Sequence, residues 1–210
     1  MRTLADGVHQ LEGRPPNVIN VYLVGDMLVD AGTPNAKRRI LRQLEGRDVR
    51  SHLVTHAHPD HYGSSHAVCE ALGIPLWTGA NDADDIEHST PQLPSTRIGT
   101  LLQKSKPPPA HPVDRRLREG DDVGHGFTVL DAPGHTLGHI ALWREDDRTL
   151  VLGDVFFNVR KLSEPWSFLT VDPAINRASM RRLAELQPAL TLFGHGPPLR
   201  DPHALARVAE

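Results

Sequence analysis

The chain is 210 residues long, with 39% hydrophobic residues and a formal net charge of −3. That suits a single globular domain over residues 1–210 with a sizeable core. The near-balanced charge points away from nucleic-acid and membrane-surface partners, and no apolar run approaches the roughly 18 residues of a membrane span. Cys69 is the only cysteine, which excludes an intrachain disulfide and a multi-cysteine zinc site. Met1–Gly7 lacks the apolar stretch of a secretory leader, so a reducing cytoplasm is the expected setting. Histidine is the anomaly: there are 13, and about half sit in short motifs with small or acidic neighbours.

In chain order, Val18–Val24 alternates as a strand, Gly25-Asp26 turns, and Met27–Asp30 returns as a second strand. Asn35–Glu45 carries Ile40, Leu41 and Leu44 on one helical face, with Asn35 as N-cap and Gly46 as stop. Ser51–Val54 is a short apolar strand. A helix over His61–Leu72 follows, packing Ala67, Val68, Ala71 and Leu72 inward, and Ile74–Trp77 is another short strand. From Gly79 to Pro112 the chain is polar and irregular, and Pro107-Pro108-Pro109 fits neither a helix nor a central strand. A long segment of this kind is usually a functional lid or loop, interrupted here by an acidic helix near Asn81–His88. Phe127–Asp131, His139–Trp143 and Thr149–Leu152 read as strands, with turns at Pro133-Gly134 and Asp146-Asp147. A helix over Ile175–Leu186, a last strand at Thr191–Phe193 and a short helix over Pro202–Val208 complete the chain.

Four strand ends run into His or Asp, mostly beside Gly. Strand ends project side chains from a rigid sheet into loops, where sites are commonly built. The first, Thr55-His56-Ala57-His58-Pro59-Asp60-His61, offers four donors within six residues. Neutral imidazoles and carboxylates suit zinc and related divalent metals. Four donors so close cannot all meet one metal in a relaxed geometry. A sharp loop can split them, with His56 and His58 toward one ion and Asp60 and His61 toward a neighbour about 3.5–4 Å away. His135, in Pro133–His139, can complete a three-histidine site, whereas His139 opens an apolar strand and reads as packing. Asp154, after Gly153, can bridge two ions through its two oxygens. His195, in Gly194-His195-Gly196, adds a further imidazole. Each motif is weak alone. Together they supply the donor types that the others lack.

The pattern resembles the metallo-β-lactamase fold superfamily, whose hallmark H-x-H-x-D-H is here His56 to His61, with His135, Asp154 and His195 following in order. The resemblance runs from about residue 17 to 198 and looks closest to the short glyoxalase II-like branch. It implies an α/β fold: a four-layer αβ/βα sandwich, two mixed β-sheets flanked by helices. It further implies that His56, His58 and His135 hold one metal, that Asp60, His61 and His195 hold a second, and that Asp154 bridges. Asp30 then orients the histidine loop, unless it is a simple turn residue. Two divalent ions, zinc first and iron or manganese otherwise, are the implied cofactors.

The expected function is a metal-dependent hydrolase. A binuclear metal-bound hydroxide attacks an ester, thioester or lactone carbonyl, with Asp60 and Asp154 as catalytic carboxylates. The expected partner is a small-molecule acyl substrate, and the expected state is a monomer or homodimer. Full-length glutathione thioesterases carry an added helical domain, whereas only about a dozen residues follow Gly196 here. The alternative on the same fold is a mononuclear iron persulfide dioxygenase using His56 or His58, His135 and Asp154. Tyr62, Trp166 and Phe168 are candidate pocket walls, Asn158, Arg160 and Lys161 are candidates for binding an anionic group, and Cys69 is expected to be a packing residue.

Overall fold

The computed structural model describes residues 1–94, 96 and 106–210. It opens with a hairpin that periodicity alone did not indicate: β1 (Arg2–Ala5) pairs antiparallel with β2 (Val8–Gln10). Its signal is the dipeptide Asp6-Gly7, in which Gly7 takes the left-handed φ of +63° that glycine adopts at no steric cost. β3 (Tyr22–Val24) and β4 (Met27–Val29) pair across the expected Gly25-Asp26 turn. The predicted strand start at Val18 does not form. Residues 17–19 turn instead, and the Val18 carbonyl accepts a hydrogen bond from His195 Nδ1.

α1 (Lys37–Leu44) begins after Ala36, not Asn35, and makes no side-chain cap. β5 (Ser51–Val54) runs into the histidine loop. The helix expected from His61 starts four residues later, as α2 (Ser65–Leu72). His61 and Tyr62 both donate their backbone N–H to the His58 carbonyl, which closes a tight turn that a helix begun at His61 could not form. β6 (Leu76–Gly79), α3 (Ala83–His88) and β7 (Arg115–Leu117) follow, then β8 (Asp122–Gly124), β9 (Phe127–Asp131), β10 (Ile140–Arg144), β11 (Thr149–Gly153), α4 (Pro173–Ala184), β12 (Leu190–Phe193) and α5 (Ala206–Ala209). β7 and β8 escaped the sequence reading because three-residue strands rich in Arg, Asp and Gly carry no alternation. α4 starts two residues earlier than expected. Pro173 takes its first position, and the Asp172 carboxylate accepts from the N–H groups of Ala174 and Ile175 at 2.9 and 3.0 Å.

The strands form two mixed sheets. One runs β1-β2-β3-β4-β5-β6-β7, antiparallel as far as β4 and parallel from there; the other runs β12-β11-β10-β9-β8, with only β11 and β12 parallel. Side-chain alternation then assigns the layers. Tyr22, Val24, Met27 and Val29 face Phe127, Val129, Ile140 and Leu142 in the core between the sheets. Leu23 and Leu28 point the other way, onto Ile40 and Leu44 of α1. On the second sheet Ala141, Leu150 and Leu152 meet Met180 and Leu183 of α4. Each fully buried large apolar side chain contributes about 1.5–3 kcal/mol, so these three packed layers hold the strand ends rigidly. Among the described residues, no helix is long and apolar enough to cross a membrane.

Candidate metal centre

The seven side chains singled out in the sequence come together where the ends of β5, β11 and β12 and the loop before β10 meet. Asp154 Oδ2 is the hub. It lies 3.2 Å from His195 Nε2, 3.3 Å from His135 Nε2, 3.4 Å from His61 Nε2 and 3.9 Å from His56 Nε2. Asp60 Oδ2 is 3.3 Å from His195 Nε2 and 3.9 Å from His61 Nε2. One donor atom from each of His56, His58 and His135 forms a cluster within 4.8 Å, and Asp60, His61 and His195 form another.

Each imidazole is held by its outer nitrogen. His56 Nδ1 is 3.1 Å from Thr55 Oγ1, which itself donates to Asp30 and is thus left to accept. His135 Nδ1 similarly meets Thr170 Oγ1 at 3.3 Å, whose proton goes to the Trp166 carbonyl. His58 Nε2 donates to the Gln92 carbonyl at 2.9 Å, His61 Nδ1 to Asp30 Oδ2 at 2.9 Å, and His195 Nδ1 to the Val18 carbonyl. A neutral imidazole that donates through one nitrogen presents a lone pair at the other. The second nitrogen of all five rings therefore faces the interior of the site, where it offers a lone pair whenever its ring is neutral. There, His56 Nε2, His135 Nε2 and Asp154 Oδ1 are buried without a hydrogen-bond partner. Such orphans are costly unless something fills the site, and a divalent cation fits that donor set of unshared pairs and carboxylate oxygens.

The electrostatics divide the cluster. Burial, then the neighbouring imidazoles, pushes His56 well below the usual histidine range, and burial and His135 take His58 down to about 3. Those rings are neutral donors. Burial also opposes charge on His61 and His195, but the carboxylates around them together outweigh it: Asp154, Asp30 and Asp60 raise His61, and Asp154 with Asp60 holds His195 up at about 10. Burial would lift the Asp154 and Asp60 carboxyls. The facing His195 and His61 charges hold both well below their ordinary value. This half of the site attracts positive charge, which a bound cation would supply in place of protons.

Backbone conformation makes the arrangement possible. Asp154 follows Gly153 at φ +57°, where a Cβ would lie 2.6 Å from His139 Nε2. At Gly194 a Cβ would sit 2.0 Å from Asp154 Oδ1. His139 is a packing residue, as expected: its Nε2 accepts the Asp154 N–H at 3.0 Å and its ring stacks on His56 at 4.8 Å. Asp30 has φ +60° and spans two elements, accepting from the Thr55 N–H at 2.8 Å as well as from His61.

Asp82 was missed. Its buried carboxylate accepts from the Ala57 N–H (2.8 Å), the Thr136 hydroxyl (2.6 Å) and the Gly138 N–H (2.6 Å), tying the loop of His56 and His58 to the loop of His135. In sequence it is an ordinary Asp before a short helix, and no signal marked it.

A cavity of about 620 Å³ opens onto His58, Asp60, His135, Asp154 and His195. Pro34, Pro91, Leu93, Pro107 and Leu169 give it apolar walls, with Lys106 as the one lining lysine or arginine among the described residues. The irregular stretch from Gly79 to Pro112 thus supplies part of the wall, although residues 95 and 97–105 lie outside the described residues. Tyr62 does not line the cavity; it is 1% exposed, packed against Val54, Ala57 and Cys69. Trp166 and Phe168 stack on each other beyond the lining, and Phe157 is the ring that meets His135 and His195, at 6.0 and 4.9 Å. Arg160 and Lys161 are exposed outside the lining, and Asn158 is spent on the Pro197 carbonyl.

Two mixed sheets between helices, with a histidine–aspartate centre at their strand ends, define a metallo-hydrolase architecture. The chain belongs to the Metallo-beta-lactamase superfamily, whose family profile matches residues 14–195. It is 29% identical to Probable metallo-hydrolase YflN of Bacillus subtilis (strain 168), a match covering 93% of this chain and 86% of that protein. It is 35% identical to the hydroxyacylglutathione hydrolase of Bdellovibrio bacteriovorus, over 53% of this chain but only 36% of that enzyme. The solved structure of TTHA1623 in a di-iron-bound form superposes with a TM-score of 0.69 at 27% identity, covering 98% of this chain and 96% of the other.

Proposed function

We propose that the chain is a binuclear metallo-hydrolase that cleaves an ester, thioester or lactone of a small acyl substrate. The observation that carries this reading is the convergence of the His56, His61, His135 and His195 Nε2 atoms on one buried carboxylate, Asp154, with His58 grouped beside His56 and His135. In this reading His56, His58 and His135 hold one ion, Asp60, His61 and His195 hold the other, and Asp154 lies between. Divalent ions in such a site supply Lewis acidity, which brings water close to ionisation at neutral pH and polarises a carbonyl. Asp60 is the carboxylate open to the cavity, its side chain 37% exposed against 2% for Asp154. Its assigned role, besides ligating, is to orient the attacking water or relay its proton. The apolar walls exclude bulk water and seat the acyl group. The cavity volume lies within the range of about 300–1,000 Å³ typical of small-molecule sites.

The test is metal content by mass spectrometry on protein purified without added metal, followed by a screen of esters, thioesters and lactones. Two or more ions per chain, two of them lost from the centre on chelation together with hydrolysis, support the reading. One iron per chain, no hydrolysis and persulfide-dependent oxygen uptake would replace it with the dioxygenase.

A further inference from the structure

A second group of metal-binding side chains lies away from the centre, on α2. His66 and Glu70 are four residues apart, which places them one above the other on one helix face. His111, from the segment entering β7, comes to meet them. His66 Nδ1 and His111 Nδ1 are 3.2 Å apart, with ring centroids 5.3 Å apart and planes at 75°. One donor atom from each of His66, Glu70 and His111 lies within 4.8 Å of the others.

We propose that His66, Glu70 and His111 form a further divalent-metal site with zinc-type chemistry, separate from the centre at Asp154. Nitrogens each about 2.0–2.1 Å from one tetrahedral zinc stand roughly 3.3 Å apart, and the observed 3.2 Å matches that bite. The two-histidine, one-carboxylate set is one that zinc accepts, with water completing the shell. His111 is only 8% exposed.

The alternative is a plain hydrogen bond between the two rings, which needs no Glu70. The site has a structural consequence. Lys106 and Pro107, a few residues before His111, line the cavity, so an ion here fastens that wall to the helix following the histidine loop. The proposal stands whether or not the hydrolase reading does.

The experiment is equilibrium dialysis of the full chain against micromolar free zinc, counting ions per chain in wild type, His66→Ala and Glu70→Gln. His66 is half-buried and Glu70 exposed on a helix surface, so both variants keep the fold. Wild type should bind one more zinc than His66→Ala, and Glu70→Gln should weaken that ion at least severalfold. The zinc-induced rise in melting temperature should shrink in both. Equal zinc counts in wild type and His66→Ala would overturn the proposal and leave the pair as a hydrogen bond. A His135→Ala variant keeps the two questions apart, because it removes an ion from the centre and leaves this one in place.

Discussion

Asp30→Asn separates metal ligation by His61 from mere packing. Asparagine has the shape of aspartate and tolerates the left-handed φ of +60° found there. Its amide oxygen must face the Thr55 N–H, now 2.8 Å from Oδ1, because a backbone donor cannot change its role. The amide NH₂ then faces His61 Nδ1 in place of Oδ2, 2.9 Å away. Two donors cannot meet, so the imidazole moves its proton to Nε2, the nitrogen that faces Asp154, Asp60 and His195. A protonated Nε2 offers no lone pair. A charge-assisted bond between a 0% exposed ring and a 3% exposed carboxylate is thereby exchanged for a neutral one, so stability falls by about 1 kcal/mol. Removing such an outer partner typically costs about 10–100-fold in metal affinity, and the loss should fall on the ion shared by Asp60, His61 and His195. Chelator competition measures the affinity, and ¹⁵N histidine spectra of the loaded protein report the tautomer. An unchanged His61 tautomer with affinity within about twofold of wild type would refute the reasoning.

Three other outcomes are expected. Gly194→Ala puts a methyl 2.0 Å from Asp154 Oδ1 and 2.6 Å from His61 Cε1; displacing these groups by an ångström should cut kcat about 100-fold, checked by steady-state kinetics alongside circular dichroism. His58→Ala should remove one ion per chain and the hydrolytic activity with it. It should leave the melting temperature of metal-free protein little changed, because the ring's outer bond is a single contact to Gln92. His52 is buried against the Leu28 carbonyl and Ser65 Oγ, and burial lowers its pKa to about 4. A depressed folded-state value means the native chain binds fewer protons than the unfolded one between pH 4 and 6.5. Its contribution is present above 6.5 and is lost as the pH falls through 4, about 3 kcal/mol over that window. Urea unfolding at both ends should show a shallower pH dependence for His52→Gln than for wild type; parallel curves would mean that His52 does not titrate in this window.

The sequence alone determined the residue types at the centre and most of the framework that carries them. Chemistry requires His and Asp in close spacing, so His56-x-His58-x-Asp60-His61 is legible without coordinates. Short apolar or alternating runs are equally local, which is why β3, β4, β5, β6, β9, β10, β11 and β12 were all legible, with shifts at their ends. The strands β1, β2, β7 and β8 were not, because RTLA, VHQ, RRL and DVG hold no apolar run and their pairing partners stabilise them.

Only the tertiary structure decided how the donors point. Which nitrogen of each ring turns inward depends on partners such as Gln92, Thr170 and Val18, remote in the chain and unremarkable in type. Asp82 binds two loops through backbone N–H groups, which any sequence could supply. Tyr62 looked like a pocket wall beside the histidines, yet the turn closed on the His58 carbonyl sends its ring into the core. Local chemistry is written in residue identity. The direction of a lone pair is set by the atom on the far side of the ring, and that atom arrives only when the sheets pack.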